Sequence, residues 1–528
     1  MTVTETATKS SFGSWLRANR TRVTVLAVLA FLFFTALQGL ETDAWFSTVM
    51  QGLSVGAITF LVASGLSLIF GLMDVLNLAH GEIFMIGAYV GWTIYTRFDT
   101  AIDVLTPLFV LAAPFALLPL WRRLAVGIRT RLAGSRWPKL GPWGTIGAGA
   151  VVAVLGVTRF PLVIWNPEVY AQSPITYSLA IDIGTLAPLP PDSFSGSPVV
   201  ALLLVLLGGS AIALGASVLR SATLEVGAVD WRHPSGFLGS IAAAVVLLVG
   251  RGAINDWVFG LSTTWRFALA VVFAVGVGVV VGMLIEVLLI RPLYDRPIYQ
   301  LMITLGVGFI IIESVREVWG RPEFTMPRPA AFNGSGPGCP GEGFGGLFSG
   351  CSTVDLLGGR IRTYNEVFVV AVGIVVLIGV TQLLKRSRIG MIIRAGVQDA
   401  EMVEALGINV RRVFTIVFGL GSGLAALGGV LAAPSIGLSA SMGSLLLLSA
   451  LVALAIGGLT SFPGAAAGAV LVGLLQQFII RFGQTGISIP GFAEPFRPSP
   501  TVVPAAAVFL MVVILLILPK GLFGRSER

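Results

Sequence analysis

Apolar runs of 16–24 residues recur along the whole chain, separated by short polar or glycine-rich connections. A bilayer core takes roughly 20 apolar residues of α-helix. The pattern therefore predicts spans near 23–40, 46–70, 82–96, 104–120, 143–158, 199–219, 236–250, 267–290, 299–315, 366–384, 413–433, 444–460, 463–480 and 501–518. The expected fold class is all-α, a polytopic transmembrane helical bundle of about 14 spans. The first run, Val23 to Leu40, follows Arg17, Arg20 and Arg22 without a small-residue cleavage site, so it is expected to remain as a helix. Segment 236–250 is short, and 444–460 is joined to 463–480 only by Ser461-Phe462, so one hairpin there could be re-entrant.

Charge orients this bundle. With the N-terminus inside, most of the 34 Lys and Arg residues fall on the cytoplasmic side, including the dense Arg122–Lys139 cluster. An even span count puts Lys520, Arg525 and Arg528 inside too, so both termini are expected to be cytoplasmic and segment 320–365 external. Hydrophobic residues make up 55% of the chain and charged residues 11%. The net charge of +8 is spread between spans rather than gathered in one patch, which gives no nucleic-acid partner.

Segment 320–365 is rich in Gly and Pro and holds the only cysteines, Cys339 and Cys351. An oxidising exterior favours a disulfide between them over two free thiols. A metal site is not expected, because His80 and His233 are the only histidines and neither is near the cysteines.

Two polar interruptions stand out against the apolar background. In the first, Asp74, Asn77, His80 and Glu82 arrive between one span and the next, flanked by Gly71 and Gly81. Polar groups at membrane depth are costly unless they face protein or a water-filled path. A broken helix lining a solute path would explain them, and so would a cytoplasmic turn in which Asp and Asn cap helix ends. The second is the charged segment 386–412. Read as a short helix from Asp399 to Gly407, it has Asp399 as N-cap, Glu401 in the positive first turn and Gly407 as a left-handed stop. Gln398, Glu401 and Glu404 then share one side, while Ala400, Val403 and Leu406 line another. A solvated loop helix and a docking element both fit. Glycine pairs such as Gly52/Gly56, Gly278/Gly282, Gly419/Gly423 and Gly464/Gly468 permit close helix approach and say nothing of solute.

Four stretches together resemble the inner-membrane permease family of branched-chain amino-acid ABC transporters. They are Gly65-Leu66 through Asn77-Leu78-Ala79-His80-Gly81-Glu82 to Gly87-Ala88-Tyr89; Glu286 with Arg291-Pro292-Leu293, then Leu301 to Leu305-Gly306; Arg394-Ala395 through Asp399, Glu404, Gly407-Ile408-Asn409 and Arg411 to Gly428-Gly429; and Gly457-Gly458, Ser461, Gly464-Ala465 and Gly468. The chain departs from the family pattern in Leu78, where Phe is usual, and in a long insert. The resemblance divides it into N-terminal spans (1–97), an insert of about four spans with the basic loop (98–262), and a C-terminal permease core (263–528).

The resemblance implies a pore subunit without catalytic residues or a cofactor of its own. No G-x-x-x-x-G-K-[ST] loop is present to cradle ATP phosphates, and no Ser/His/Asp or Cys/His arrangement appears. Partner ATP-binding subunits in the cytoplasm would bind ATP, an extracytoplasmic solute-binding protein would deliver solute, and a second permease, related or identical, would complete the path in the cytoplasmic membrane. Under this reading Asp74, Asn77, His80, Gly81 and Glu82 belong to the substrate path. Arg394, Asp399, Glu401, Glu404 and Gly407 couple to the ATPase, and Glu286 with Arg291 forms a structural pair. Branched-chain amino acids are the expected solute; urea or short amides, or an ion-coupled secondary transporter, are the alternatives.

Overall fold

The computed structural model describes residues 23–25, 27, 41–131, 137–160, 197–220, 232–321, 323, 325–398, 400–487 and 494–524. Most of the expected span 23–40, most of the loop 160–198, part of the basic segment 122–139, Asp399, Arg525 and Arg528 lie outside these residues. Among the described residues, 10 helices are long and apolar enough to cross a membrane, or 11 if one bent pair counts as a span. The chain is a multi-pass membrane protein. Three other expected spans fall in shorter or bent elements: 82–96 in a helix of 17 residues, 444–460 in one of 16, and 236–250 in the bent pair.

The chain divides into two compact units, Thr93–Arg266 and the remainder. Its helices are α1 (Thr42–Met73), α2 (His80–Thr96), α3 (Phe98–Ala116), α4 (Leu118–Arg131), α5 (Trp137–Arg159), α6 (Pro198–Arg220), α7 (Arg232–Val249), α8 (Arg251–Gly260) and α9 (Thr263–Ile285). After them come α10 (Pro297–Trp319), α11 (Val370–Arg386), α12 (Arg388–Gln398), α13 (Ala400–Ala405), α14 (Val410–Ile436), α15 (Met442–Gly457), α16 (Phe462–Thr485) and α17 (Val503–Ile517).

In the larger unit α1 is the central post. It is buried on all sides from Ser54 to Ile69 apart from Val55, as expected of a helix apolar all round. Glycine sets its spacing from α16: a methyl group on Gly56 would lie 3.0 Å from Val470 Cα, and one on Gly52 would lie 2.9 Å from Leu474 Cα. Leu68 packs with Ile393 of α12 and Val417 of α14, and Leu72 joins them, so the Met73 end of α1 faces the 386–412 segment. At the end of α15, Leu522 and Phe523 donate their backbone N–H groups to the Ile456 and Gly457 carbonyls, satisfying acceptors that a helix end leaves open.

The 320–365 segment contains a small sheet that the sequence reading passed over as loop. Strand β1 (Gly341–Glu342) pairs parallel with β2 (Thr353–Leu356), which pairs antiparallel with β3 (Gly359–Arg362) in the register Val354 opposite Ile361. Alternation drives it: Val354, Leu356 and Ile361 point to one face and pack on Phe46, Met50, Leu347 and Val367. The β2–β3 turn holds Leu357 and Gly358 at φ 51° and 84°, the two positive values that a tight right-twisting hairpin requires. Arg360 forks onto Asp355 across the pair and holds its carboxyl below the usual range. Cys339 and Cys351 are bridged, with Cα atoms 5.6 Å apart.

In the smaller unit, α5 and α6 meet at Gly149, Gly156 and Gly208. Helix α3 carries a buried fork from Arg97 to Asp99 at 3.0 and 2.6 Å, and Asp103 pairs with Arg251 at 2.8 Å. Helices α7 and α8 meet at 71°.

Orientation can be checked directly. After mild reduction of intact cells, an impermeant maleimide should label Cys339 and Cys351. Labelling only after lysis would invert the bundle.

Candidate functional site

Helix α1 ends in a left-handed residue, Asp74, at φ 52° and ψ 30°, whose N–H donates to the Phe70 carbonyl. Aspartate tolerates this conformation better than most side chains. Asp74 is exposed, so the structure separates it from the three polar residues that follow. From there residues 75–79 run without helix, and α2 begins at His80.

This start lies inside the bundle. His80 packs against Gly65 of α1: a methyl group built there would lie 2.7 Å from His80 Nε2 and nearer still to the Gly421 carbonyl of α14. Gly65 precedes the end of α1 by more than two turns, roughly 12 Å of helix axis. Asp74 and Asn77 stand at the two helix ends, as a capping turn requires, and the break they frame is nevertheless buried.

Asn77, His80 and Glu82 are 0%, 0% and 5% exposed. Asn77 closes the N-terminus of α2 in the manner of an Asx turn: its Oδ1 accepts from Ala79 N–H at 3.1 Å and its carbonyl from His80 N–H at 3.3 Å. The Leu78 N–H is taken by Thr304 Oγ1 of α10 at 3.2 Å. Left over are Asn77 Nδ2 and Glu82 Oε2, buried and without a hydrogen-bond partner, while the buried His80 ring has the Val62 carbonyl as its polar neighbour, outside good hydrogen-bond geometry. Glu82 lies against Gly308 of α10, 3.6 Å from where a methyl group would stand. Each unsatisfied group costs about 1–3 kcal/mol, more where charged, so the cluster is an expensive arrangement that a polar solute or water would relieve.

Glu286 is the opposite case. A π-helical turn over Glu286–Ile290 spaces hydrogen bonds by five residues and brings Arg291 onto Glu286. The fully buried carboxylate accepts from Arg291 Nε and Nη2 at 3.2 and 3.0 Å, from Tyr294 Oη at 2.5 Å and from Thr415 Oγ1 of α14 at 2.7 Å. Burial, then the bond to Glu286, pushes the Tyr294 phenol above its ordinary value. Every lone pair is engaged, and the group clamps the end of α9 to the start of α14.

In the 386–412 segment, Arg394 donates to the Gly390 and Lys385 carbonyls at 3.3 Å each, closing the end of α11. Glu401 and Glu404 fall on α13, where Glu404 is exposed. Gly407 stands at φ 82°; its N–H donates to Glu404 O and that of Ile408 to Val403 O, a Schellman stop. That stop turns Leu406 away from buried Val403, so the apolar face expected for both is split, and Leu406 joins Met402 as exposed apolar surface.

Sequence reasoning did not reach Thr304, Gly308, Tyr294, Thr415 or Met402. The first four are brought in by tertiary packing, Met402 is left exposed on α13, and none has a short-range signature.

A helical bundle with a buried, polar-lined helix break is the architecture of solute-translocating membrane proteins. The family model for the permease component of branched-chain amino acid transport systems matches residues 48–207 and 226–519, and the chain belongs to this family. It is 30% identical over 172 residues to the high-affinity branched-chain amino acid permease protein BraD of Pseudomonas aeruginosa, covering 32% of this chain and 51% of that protein. It is 25% identical over 272 residues to the permease protein LivH of Escherichia coli, covering 51% and 78%. A fructose import permease, FruF of Bifidobacterium longum, is 31% identical over 133 residues, or 24% and 37%. The matched region thus spans about half the length of BraD. No solved structure matches.

The two carboxylates predict different mutant behaviour. Glu286→Ala strands Arg291, Tyr294 and Thr415 and should cost about 3–5 kcal/mol, read as a lowered thermal midpoint in detergent. An unchanged midpoint would show that the clamp carries no stability.

Proposed function

We propose that this chain is the membrane-spanning permease subunit of an ATP-driven importer of branched-chain amino acids, with the break between α1 and α2 on the solute path. The buried set of Asn77, His80 and Glu82, with Asn77 Nδ2 and Glu82 Oε2 unsatisfied, carries this reading, and the family of the chain supports it. In the same reading, ATPase subunits grip α12–α13 from the cytoplasm, a binding protein delivers solute on the side of the Cys339–Cys351 loop, and a second permease completes the complex.

The segment suited to coupling has the features of a docking element. Exposed Met402 and Leu406 flank exposed Glu404, and α12 is tied into the bundle through Ile393, Leu68 and Val417. Force applied to α12–α13 therefore reaches α1 and α14, the helices that enclose the break. A ligand of the cytoplasmic face shifts the inward–outward equilibrium only by its differential binding to the two states, about tenfold per 1.4 kcal/mol.

The test is uptake in proteoliposomes holding the permease, its ATPase subunits and its binding protein. Leucine should accumulate only with ATP. Glu401→Arg combined with Glu404→Arg should uncouple hydrolysis from uptake, since mismatched interfacial charge costs several kcal/mol, while complex yield in the membrane is kept. Wild-type uptake per ATP in that variant would remove the coupling assignment, and leucine uptake without ATPase subunits would replace it with an ion-coupled transporter.

A further inference from the structure

Two helix N-termini meet inside the larger unit. Gly81, the second residue of α2, and Gly443, the second residue of α15, are in backbone contact: a methyl group on Gly443 would lie 2.5 Å from the Gly81 carbonyl oxygen and 3.1 Å from the Glu82 nitrogen. Both glycines are buried. A helix cannot satisfy the N–H groups of its own first turn, and its N-terminus carries a partial positive charge. Each end alone suits an anion; two together do so more strongly.

A second observation points the same way. Asn77 is folded over the first turn of α2 by its bond to Ala79 N–H, which fixes the carbonyl end of the amide. The Nδ2 donor is left buried and unused. Five residues on, Glu82 offers the opposite chemistry, a buried carboxylate oxygen with no partner. One unused donor and one carboxyl oxygen thus lie within the first turn of α2 and the residues that cap it. Leu447 of α15 closes over Gly81 and supplies an apolar wall.

A cavity lies at the start of α15. Ser441, the N-cap of α15, lines a cavity of about 280 Å³ with Arg316, Arg321, Glu323 and Ala440.

We propose that this junction recognises the head group of a zwitterionic α-amino acid, with the α-carboxylate held by Asn77 and the paired N-termini of α2 and α15, and the α-ammonium held by Glu82. The assignment rests on the importer reading above and adds the residues that read the solute. His80 is a positioning residue here, its ring seated on Gly65 and setting the depth of α2. The contact between Gly81 and Gly443 must part to admit a solute, so the described arrangement is the closed form of the site.

The test uses the permease–ATPase complex in nanodiscs without the binding protein, so that selectivity belongs to the permease. Displacement of radiolabelled leucine is measured with leucine, with 4-methylpentanoate (which lacks the amine) and with 3-methylbutylamine (which lacks the carboxylate). A site built to bond both groups rejects each analogue strongly; about 100-fold or more is expected for the wild type. Glu82→Gln should collapse the preference for leucine over 4-methylpentanoate to within about threefold and leave 3-methylbutylamine rejected. Asn77→Asp should do the reverse, weakening leucine at least about tenfold while improving 3-methylbutylamine. Equal competition by all three compounds in the wild type overturns the proposal without any variant. A wild-type amine preference retained in Glu82→Gln also overturns it. Uptake measured alongside in the complete complex separates the readings: leucine uptake with failed discrimination removes only this assignment, whereas a wild type that neither binds nor imports leucine removes both.

Discussion

Backbone-to-backbone contact at glycine is the constraint on which this bundle depends. Without an apolar driving force between helices in lipid, close van der Waals approach is what holds them. Helix α2 is gripped along its length in this way, with Gly81 against Gly443 of α15, the Phe84 carbonyl against Gly429 of α14 and Gly87 against Ala426 of α14, while Gly65 of α1 meets Gly421 of α14 beside His80. Each contact excludes a side chain, so the helices close tightly around the start of α2. Burial of Asn77, His80 and Glu82 is a consequence of that packing rather than of their own chemistry.

The two buried glutamates show how the same packing serves different ends. Glu286 sits among four donors from Arg291, Tyr294 and Thr415, and its charge is spent on joining α9 to α14. Glu82 has an oxygen with no donor at all, in a chain otherwise able to provide them. Buried polar groups are normally satisfied, so a cluster that is not marks a place where something else completes the set. The clamp lies at the foot of α14, next to the 386–412 segment, and the cluster lies along the same helix near Gly421. Both are attached to the first half of α14, which links the two regions physically.

Much of this was legible in the chain. The apolar runs located the ten described helices that cross by length and composition, and the polar residues Asn77, His80 and Glu82 marked the break before any geometry was known. Gly407 announced the end of α13. Period alone could not separate a capping turn from a buried break, because both use Asp and Asn ahead of a helix; only the contact of His80 with Gly65 shows the depth. The π-helical turn at Glu286 was equally hidden, since five-residue spacing carries no sequence signature. The small sheet was masked by its Gly- and Pro-rich surroundings, although Val354, Leu356 and Ile361 alternate as strands do. Helix α2 reads as an ordinary span and α15 as part of a hairpin that could be re-entrant, and their shared N-terminal contact is a long-range fact of the fold.

The central claim is that the start of α2 lies inside the bundle and is exposed only conditionally. Cysteine accessibility tests it most directly, because the native cysteines are bridged. Asp74→Cys serves as the surface reference and should react with a membrane-impermeant thiol reagent from its own side in every nucleotide state. Asn77→Cys should be inert in the closed state and become reactive in another state of the ATP cycle. If Asn77→Cys reacts as fast as Asp74→Cys in all states, the segment is an ordinary surface turn and the account is wrong.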